Sequence, residues 1–243
     1  MFDVENLKIR ARTGIYATGQ ERVVQILETA VDILIHDGFP AVTLREIARR
    51  MGIRVSAISH YYSSREDLLL DVLSGVLNSY EAFFGDLREA SDQPAEERLR
   101  AFIRAILDDI LTLKTTRLFP ELWALAGHDA NVARMIDAIY IRSRLIVCRF
   151  IAVINPALDV RMRENLALFI TASLEGLTVF AGHDKPWAGE MEIQKTIACD
   201  AFVAMVKAAS PLPDTPADWC APTLLEPDSF ARLTADETGR IDV

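Results

Sequence analysis

Five arginines fall between positions 45 and 65 of this 243-residue chain: Arg45, Arg49, Arg50, Arg54 and Arg65. A guanidinium stays charged in any protein and offers a rigid fork of donors that pairs with phosphate oxygens or with the Hoogsteen edge of guanine. The chemistry such a cluster offers is binding of a polyanion. The whole-chain charge points the other way, since 26 Lys+Arg against 35 Asp+Glu leave a net −9, and phosphate binding needs concentrated positive charge. Divided at residue 65, the charge separates. Lys8, Arg10, Arg12 and Arg22 join the five arginines against seven acids to give +2, and the remainder carries −11. A mildly basic head precedes an acidic body.

Other chemistries find little support. No Gly-rich phosphate loop, G-x-S-x-G elbow or H-E-x-x-H pair occurs, so neither a catalytic residue nor a cofactor is expected. His128-Asp129 and His183-Asp184 lack the spacing of a closed metal site, and no metal is expected either. Cys148, Cys199 and Cys220 are odd in number and far apart, which reads as reduced, mostly buried thiols. The charged first residues do not form a signal peptide. The longest apolar stretch, Leu145 to Ile154, is broken by Arg149 and falls short of the ~20 residues of a membrane span. The expectation is a cytoplasmic protein with no membrane partner.

The elements that must position the arginines are helices. Apolar residues are 51% of the chain with 11 Gly and 10 Pro, and they recur at helical spacing almost throughout, with little strand-like alternation. This predicts an all-α protein of about nine helices. The first spans about Gln20–His36 and stops at Asp37-Gly38; Thr43 and Glu46 form a capping-box pattern opening Leu44–Arg50; Gly52 ends it, and Val55–Tyr61 follows. Ser64 can cap a long helix from Arg65 to near Glu89. Pro94 opens the next. Pro120 reads as the first-turn residue of a short helix, Glu121–Leu125. Longer helices span about Ala130–Ile154, Val160–Phe180 and Glu190–Ala209. Past Ser210, Pro211, Pro213, Pro216, Pro222 and Pro227 rule out continuous helix. The expected organisation is a flexible arm over 1–17, a helical head over 18–64, a longer helical body over 65–209 and a Pro-rich tail over 210–243.

Between Thr43 and Tyr61 the spacing is that of a helix-turn-helix. Two helices crossing through a tight turn need a small residue where their backbones approach, a glycine with positive φ, and apolar residues that lock the pair. Ala48 is the small contact, Gly52 sits in the turn, and Ile47, Met51, Ile53, Ile58 and Tyr61 fall at core positions.

With its context, this segment is similar to a known family. Residues from about 20 to 70 resemble the DNA-binding domain of TetR-family transcriptional regulators. The matching residues are Asp37-Gly38-Phe39, Thr43, Ile47-Ala48, Gly52-Ile53 and the run from Ile58 to Leu68 (ISHYYSSREDL). The later helices match that family in number, length and order alone. The resemblance implies a homodimer that places one recognition helix per subunit in the major groove of a palindromic double-stranded operator. On this chain the recognition helix supplies Arg54, Val55, Ser56, Ala57, Ser59 and His60. Arg54 can grip guanine, the serines can bond base or phosphate, and Ala57 or Val55 can meet a thymine methyl. Thr43, Arg45, Tyr61 and Arg65 are implied as phosphate contacts. The family often carries an aromatic where this chain has Ser59, and Ser and Lys where it has Arg54 and Val55, so no operator sequence is implied. Lys8, Arg10 and Arg12 read either as an arm entering the minor groove or as a solvated tail.

For the body, the resemblance implies a pocket for a small-molecule effector and a dimer interface. Phe84, Phe102, Trp123, Tyr140, Arg144 and Phe169 are the pocket candidates. Ala172, Gly176, Leu177, Ala198, Ala201, Phe202 and Met205, on the last two helices, are the interface candidates, because small residues let helices approach closely. The expected function is a ligand-responsive repressor. The alternatives are a ligand-binding helical adaptor without DNA binding and an all-α enzyme.

Overall fold

A computed structural model describes residues 17–89 and 93–212 of the chain. Among the described residues there are nine α-helices and no strand, as the periodicity predicts. They are α1 (Ala17–Asp37), α2 (Leu44–Met51), α3 (Val55–Ser59), α4 (Arg65–Glu89), α5 (Ala95–Ile110), α6 (Leu113–Ala126), α7 (Ala130–Ile154), α8 (Val160–Ala181) and α9 (Met191–Ala208). The basic arm and most of the Pro-rich tail lie outside the described residues.

The fold comprises two compact units. One combines residues up to 83 with 117–136, and the other combines 84–116 with residues from 137 onward; α4, α6 and α7 contribute to both.

In the first unit, α1 buries Ile26, Leu27, Ile33 and Leu34, the inward face of its amphipathic period. Gly38, at φ 81°, takes the chain out of α1 through a left-handed conformation that favours glycine. The Phe39–Ala41 3-10 turn that follows is held from both sides of one residue: the Phe39 N–H donates to Glu121 Oε2 at 3.3 Å, and its carbonyl accepts from Arg65 at 2.5 Å. Ser64 caps α4 by accepting the Asp67 N–H at 3.0 Å. Tyr62 is fully buried and donates to Asp71 at 3.0 Å.

The structure corrects the expected role of Pro120. It lies inside α6 on the exposed side and does not open a short helix. Thr112 Oγ1 accepts the Thr115 N–H at 3.2 Å and starts the helix well before the proline, while Leu118, Phe119 and Leu122 bury the opposite side. That packing offsets the one helical hydrogen bond that proline removes.

In the second unit, α5 packs along α9 through Leu99, Phe102, Ile103 and Ile106 against Ala198, Cys199, Phe202 and Val206. Ion pairs line this seam: Arg100 to Asp200 at 2.6 Å, Lys207 to Glu96 at 2.8 Å, and buried Lys195 to Asp108 and Glu192. Asn155 Nδ2 donates to the Val206 and Ala209 carbonyls at 2.9 and 3.0 Å, satisfying the end of α9. Thr116 Oγ1 links three segments, donating to the Ile110 carbonyl and accepting the His183 N–H, both at 2.7 Å. Gly182 packs so tightly there that a Cβ would stand 2.6 Å from Thr116 Oγ1.

Candidate nucleic-acid interface and ligand site

The α2-turn-α3 segment follows from its local sequence. Thr43 Oγ1 accepts the Glu46 N–H at 3.1 Å and caps α2. Gly52 adopts φ 65°, ψ 28°, and the following Ile53 N–H returns to the Ala48 carbonyl at 3.0 Å, closing α2 with a left-handed cap. Ile47, Ala48 and Ile58 are buried and lock α3 against α2. Ile58 is the buried residue of α3; Arg54, Val55, Ser56, Ala57, Ser59 and His60 are all exposed. The helix is shorter than expected, ending at Ser59, with His60 still in αR conformation as its cap. An exposed row of one guanidinium, two hydroxyls, a methyl and an imidazole on a single anchor has the donor and acceptor types that major-groove edges require.

Charge placement separates arginines that are free from arginines that are used. Arg49 and Arg50 both bond Glu46, at 2.6 and 3.1 Å, and Arg50 reaches on to Asp32 at 2.8 Å and to Asp37. Those hydrogen bonds, Arg49's first, hold the Glu46 carboxyl down at about 2. Arg45 and Arg54 are exposed, and neither guanidinium has a partner among the described residues. Arg65, expected as a phosphate contact, is turned inward: its guanidinium lies 4.0 Å from the centre of the Phe39 ring and donates to the Phe39 carbonyl. The physical reason is a cation-π contact combined with the second lone pair of a carbonyl that also accepts the Val42 N–H at 3.1 Å. Of the other expected contacts, Thr43 remains exposed beyond its capping role, and half-buried Tyr61 meets His60 edge to face at 5.2 Å. Ser59 Oγ donates to the Val55 carbonyl at 3.2 Å.

The pocket candidates do not converge as a set. Phe102 is buried against Phe150, with ring centres 6.4 Å apart, and is core. Trp123 belongs to the first unit, 6.1 Å from Phe119. Phe169 is 57% exposed on α8; its helical phase places it away from buried Ile170, Thr171 and Leu174. The side chain of Phe84 lies outside the described residues. Tyr140 and Arg144 remain, one turn apart on α7 and both half-buried.

A residue that sequence reading missed joins them. Glu175 of α8 accepts a hydrogen bond from Tyr140, and burial, which outweighs that bond, pushes its carboxyl up to about 7; Asp109 of α5 adds to the rise. Thr171 and Thr178 sit one turn to either side on α8, 6% and 1% exposed, with hydroxyls that lack any hydrogen-bond partner. Three polar residues at i−4, i and i+3 on the inward face of an apolar helix were the available signal. Buried donors and acceptors left unmatched mark a place where water or a ligand completes the set. Burial likewise weakens the proton affinity of Arg144, against the pull of Asp137. The Cys148 thiol is pushed up to about 12 by burial, which makes it inert; Cys220 lies outside the described residues.

The outer faces of α8 and α9 are apolar and open. Leu168, Phe169, Val179 and Phe180 on α8, with Ile193 and Ile197 on α9, are each at least half exposed, and Ala172 and Ala201 lie in the same helical phase. Apart from its chain neighbours and the backbone of its own helix, no described residue comes within 4 Å of a Cβ built on Gly176. Leu177 and Met205 are half-buried at the margin. Two interface candidates, Ala198 and Phe202, are already buried within the subunit. By length and composition alone, α8 is also long and apolar enough to cross a membrane.

Comparison with known proteins places both units. Residues 26–72 match the family model of bacterial regulatory proteins of the tetR family, and residues 95–206 match the C-terminal model of BetI-type transcriptional repressors. The HTH-type transcriptional regulator BetI of Burkholderia ambifaria is 25% identical over 157 residues, 64% of this chain and 79% of that protein. Two solved structures share the fold. A putative transcriptional regulator from Pseudomonas aeruginosa PAO1 aligns with a TM-score of 0.64 at 20% identity, over 78% of this chain and 92% of that one. One from Saccharomonospora viridis, crystallised in complex with choline, aligns with a TM-score of 0.62 at 18% identity, over 78% of this chain and 97% of that one.

Proposed function

The chain belongs to the TetR family of bacterial regulatory proteins, and from that premise we propose that it is a DNA-binding transcriptional repressor released by a small-molecule effector. The observation that carries this reading is α3, which buries Ile58 and leaves Arg54 to Ala57, Ser59 and His60 open. Arg54 reads a base edge and Arg45 holds a phosphate, while Ser56 and His60 add hydrogen bonds. The outer faces of α8 and α9 join two copies into a homodimer, which sets two heads at the spacing of a palindromic operator. The acidic remainder of the chain discourages approach in any other orientation.

The effector is a small organic cation. Choline in the structurally similar Saccharomonospora protein suggests the class, and Glu175 beside Tyr140 supports it here. A carboxylate neutralises a bound cation and an aromatic ring offers its face to it. Binding and release from DNA are then two sides of one coupling free energy, so each ligand weakens the other. The work of such a repressor lies in the cytoplasm.

The test is binding of the purified protein to a palindromic fragment from upstream of its own gene, followed by fluorescence anisotropy across a salt series. Affinity should fall steeply with salt and fall again on addition of choline. No salt-sensitive binding to that fragment would leave a ligand-binding adaptor as the better reading.

A further inference from the structure

Leu212, the last of the described residues, is held at a fixed point of the second unit. Its N–H donates to Asp159 Oδ2 at 2.8 Å, while Asp159 Oδ1 accepts the Met162 N–H at 2.9 Å and caps α8. Asn155, in the same α7–α8 turn, holds the carbonyls of Val206 and Ala209. The chain therefore leaves α9 beside the turn that joins α7 to α8. Thirty-one residues, 213–243, follow and lie outside the described residues. The match to the BetI-type C-terminal model ends before them, at residue 206.

That end of the unit carries an open apolar surface with a positive rim. Cys148 Sγ of α7 donates to the Arg163 carbonyl of α8 at 3.6 Å, so the segments on the two sides of the turn stand next to each other. Val153 and Val160, one on each side, are 70% and 56% exposed. Arg149, one helical turn before Val153, is exposed, with no partner among the described residues. From 149 to 163 the chain carries Arg149, Arg161 and Arg163 against one acid, Asp159, whose two oxygens are already taken.

The residues that follow Leu212 are complementary to this surface. Between 214 and 228 they include Asp214, Asp218, Glu226 and Asp228 with no Lys or Arg, and Trp219, Leu224 and Leu225 stand among the acids. Trp219 is seven residues past Leu212, a reach of at most about 25 Å. A tether this short gives a roughly millimolar effective concentration, which a partner free in solution has to match. We propose that the surface of Val153, Val160 and Arg149 is the docking site of this chain's own C-terminal segment, with Trp219 and Leu224 on the valines and the acids of 214–228 facing the arginines. Docking takes the two valines out of water and gives Arg149 a partner.

A nitroxide on Cys220, the neighbour of Trp219, tests this in the full-length protein. Burial holds the Cys148 thiol up at about 12 and raises that of Cys199 as well, so a thiol reagent near neutral pH labels Cys220. The methyl NMR signals of Val153 and Val160 should be lost to paramagnetic broadening and return when the nitroxide is reduced, while those of Ile193 and Ile197 on the outer face of α9 persist. Arg149→Glu and Val153→Asp, both at exposed positions, should each restore the Val160 signal, and added salt should restore part of it. Mixing the nitroxide-labelled chain with an isotope-labelled Cys220→Ser chain should leave the signals of the second chain intact. Three results overturn the proposal. The valines stay sharp, or stay broadened in both variants; Ile193 and Ile197 are broadened instead, which puts the segment on the outer face of α9; or broadening appears in the mixed sample, which makes the surface an interface between copies. Should one variant fail to fold, the other decides.

Discussion

The two units distribute polarity in opposite ways. In the first, the side chains able to do chemistry stand in water: Arg45, Arg54, Ser56 and His60 are exposed, over a core of Ile47, Ile58 and Tyr62. In the second, Glu175, Thr171 and Thr178 are turned inward, and what faces outward on α8 and α9 is Phe169, Phe180, Ile193 and Ile197. A polar surface over an apolar core is stable alone and suits a hydrated, charged partner. An apolar surface over polar groups left unmatched is what the proposed second copy outside and the proposed effector, or water, inside would complete. The contrast separates three partners by chemistry: nucleic acid, another copy of the protein, and an effector.

Four experiments break or sharpen that contrast, and the largest effect belongs to the outer apolar face. Ile197→Asp places like charges near each other across a two-fold interface, and this should weaken dimerisation by more than ~100-fold. Sedimentation should then show a monomer, and specific operator binding should be lost with it. An unchanged dimer would remove α9 from the interface.

Gly182→Ala tests how tightly the interior of the second unit is set. The added methyl meets Thr116 Oγ1 and the Thr178 carbonyl, 2.7 Å away, and overpacking of this kind costs about 1–3 kcal/mol. A urea midpoint equal to that of the native protein would show that the Thr116 junction yields freely.

The head is tested next. Arg54→Ala should cost about 1–3 kcal/mol of operator affinity and relax preference at one base pair. Arg45→Ala should weaken all sequences alike and lower the salt slope by about one. Identical effects of the two changes would mean that both arginines hold phosphate.

The last test is a pH dependence. The folded state raises the Glu175 carboxyl from its ordinary 4.5 to about 7, so between those values the native protein holds a proton that the unfolded chain releases. Stability should therefore decline as pH rises through that window. Glu175→Gln should flatten the decline. Asp109 and Tyr140 face the same group, and Tyr140→Phe should move the transition higher by removing the hydrogen bond that favours the carboxylate. Cation binding needs the ionised form, so choline affinity in the native protein should increase as pH rises through about 7 and become flat in the glutamine variant.

Local signals carried the head and distant ones hid the rest. Thr43 with Glu46, Gly52, and Ser64 each act within four residues of themselves, and each does in the structure what its type and spacing indicate. Arg65 was misread because its partner, Phe39, lies 26 residues away. Ala198 and Phe202 are buried within the subunit because α9 is apolar on two sides, and periodicity cannot say which side is inner. Pro120 was misread because a proline on the exposed side of a packed helix looks, in sequence, the same as one that starts a helix.

By itself, the sequence determined the helical content, the order of the helices, the caps and glycine turn of the helix-turn-helix, and the residues that α3 can present. These depend on backbone preference and hydrogen bonds between near neighbours, which a short window contains. Tertiary structure alone decided which arginines are free, which face of α9 is inner, and that Glu175 stands among unmatched hydroxyls. The charge and hydration of a side chain are set by what surrounds it in space, and those surroundings come from segments up to a hundred residues apart, such as Arg100 and Asp200.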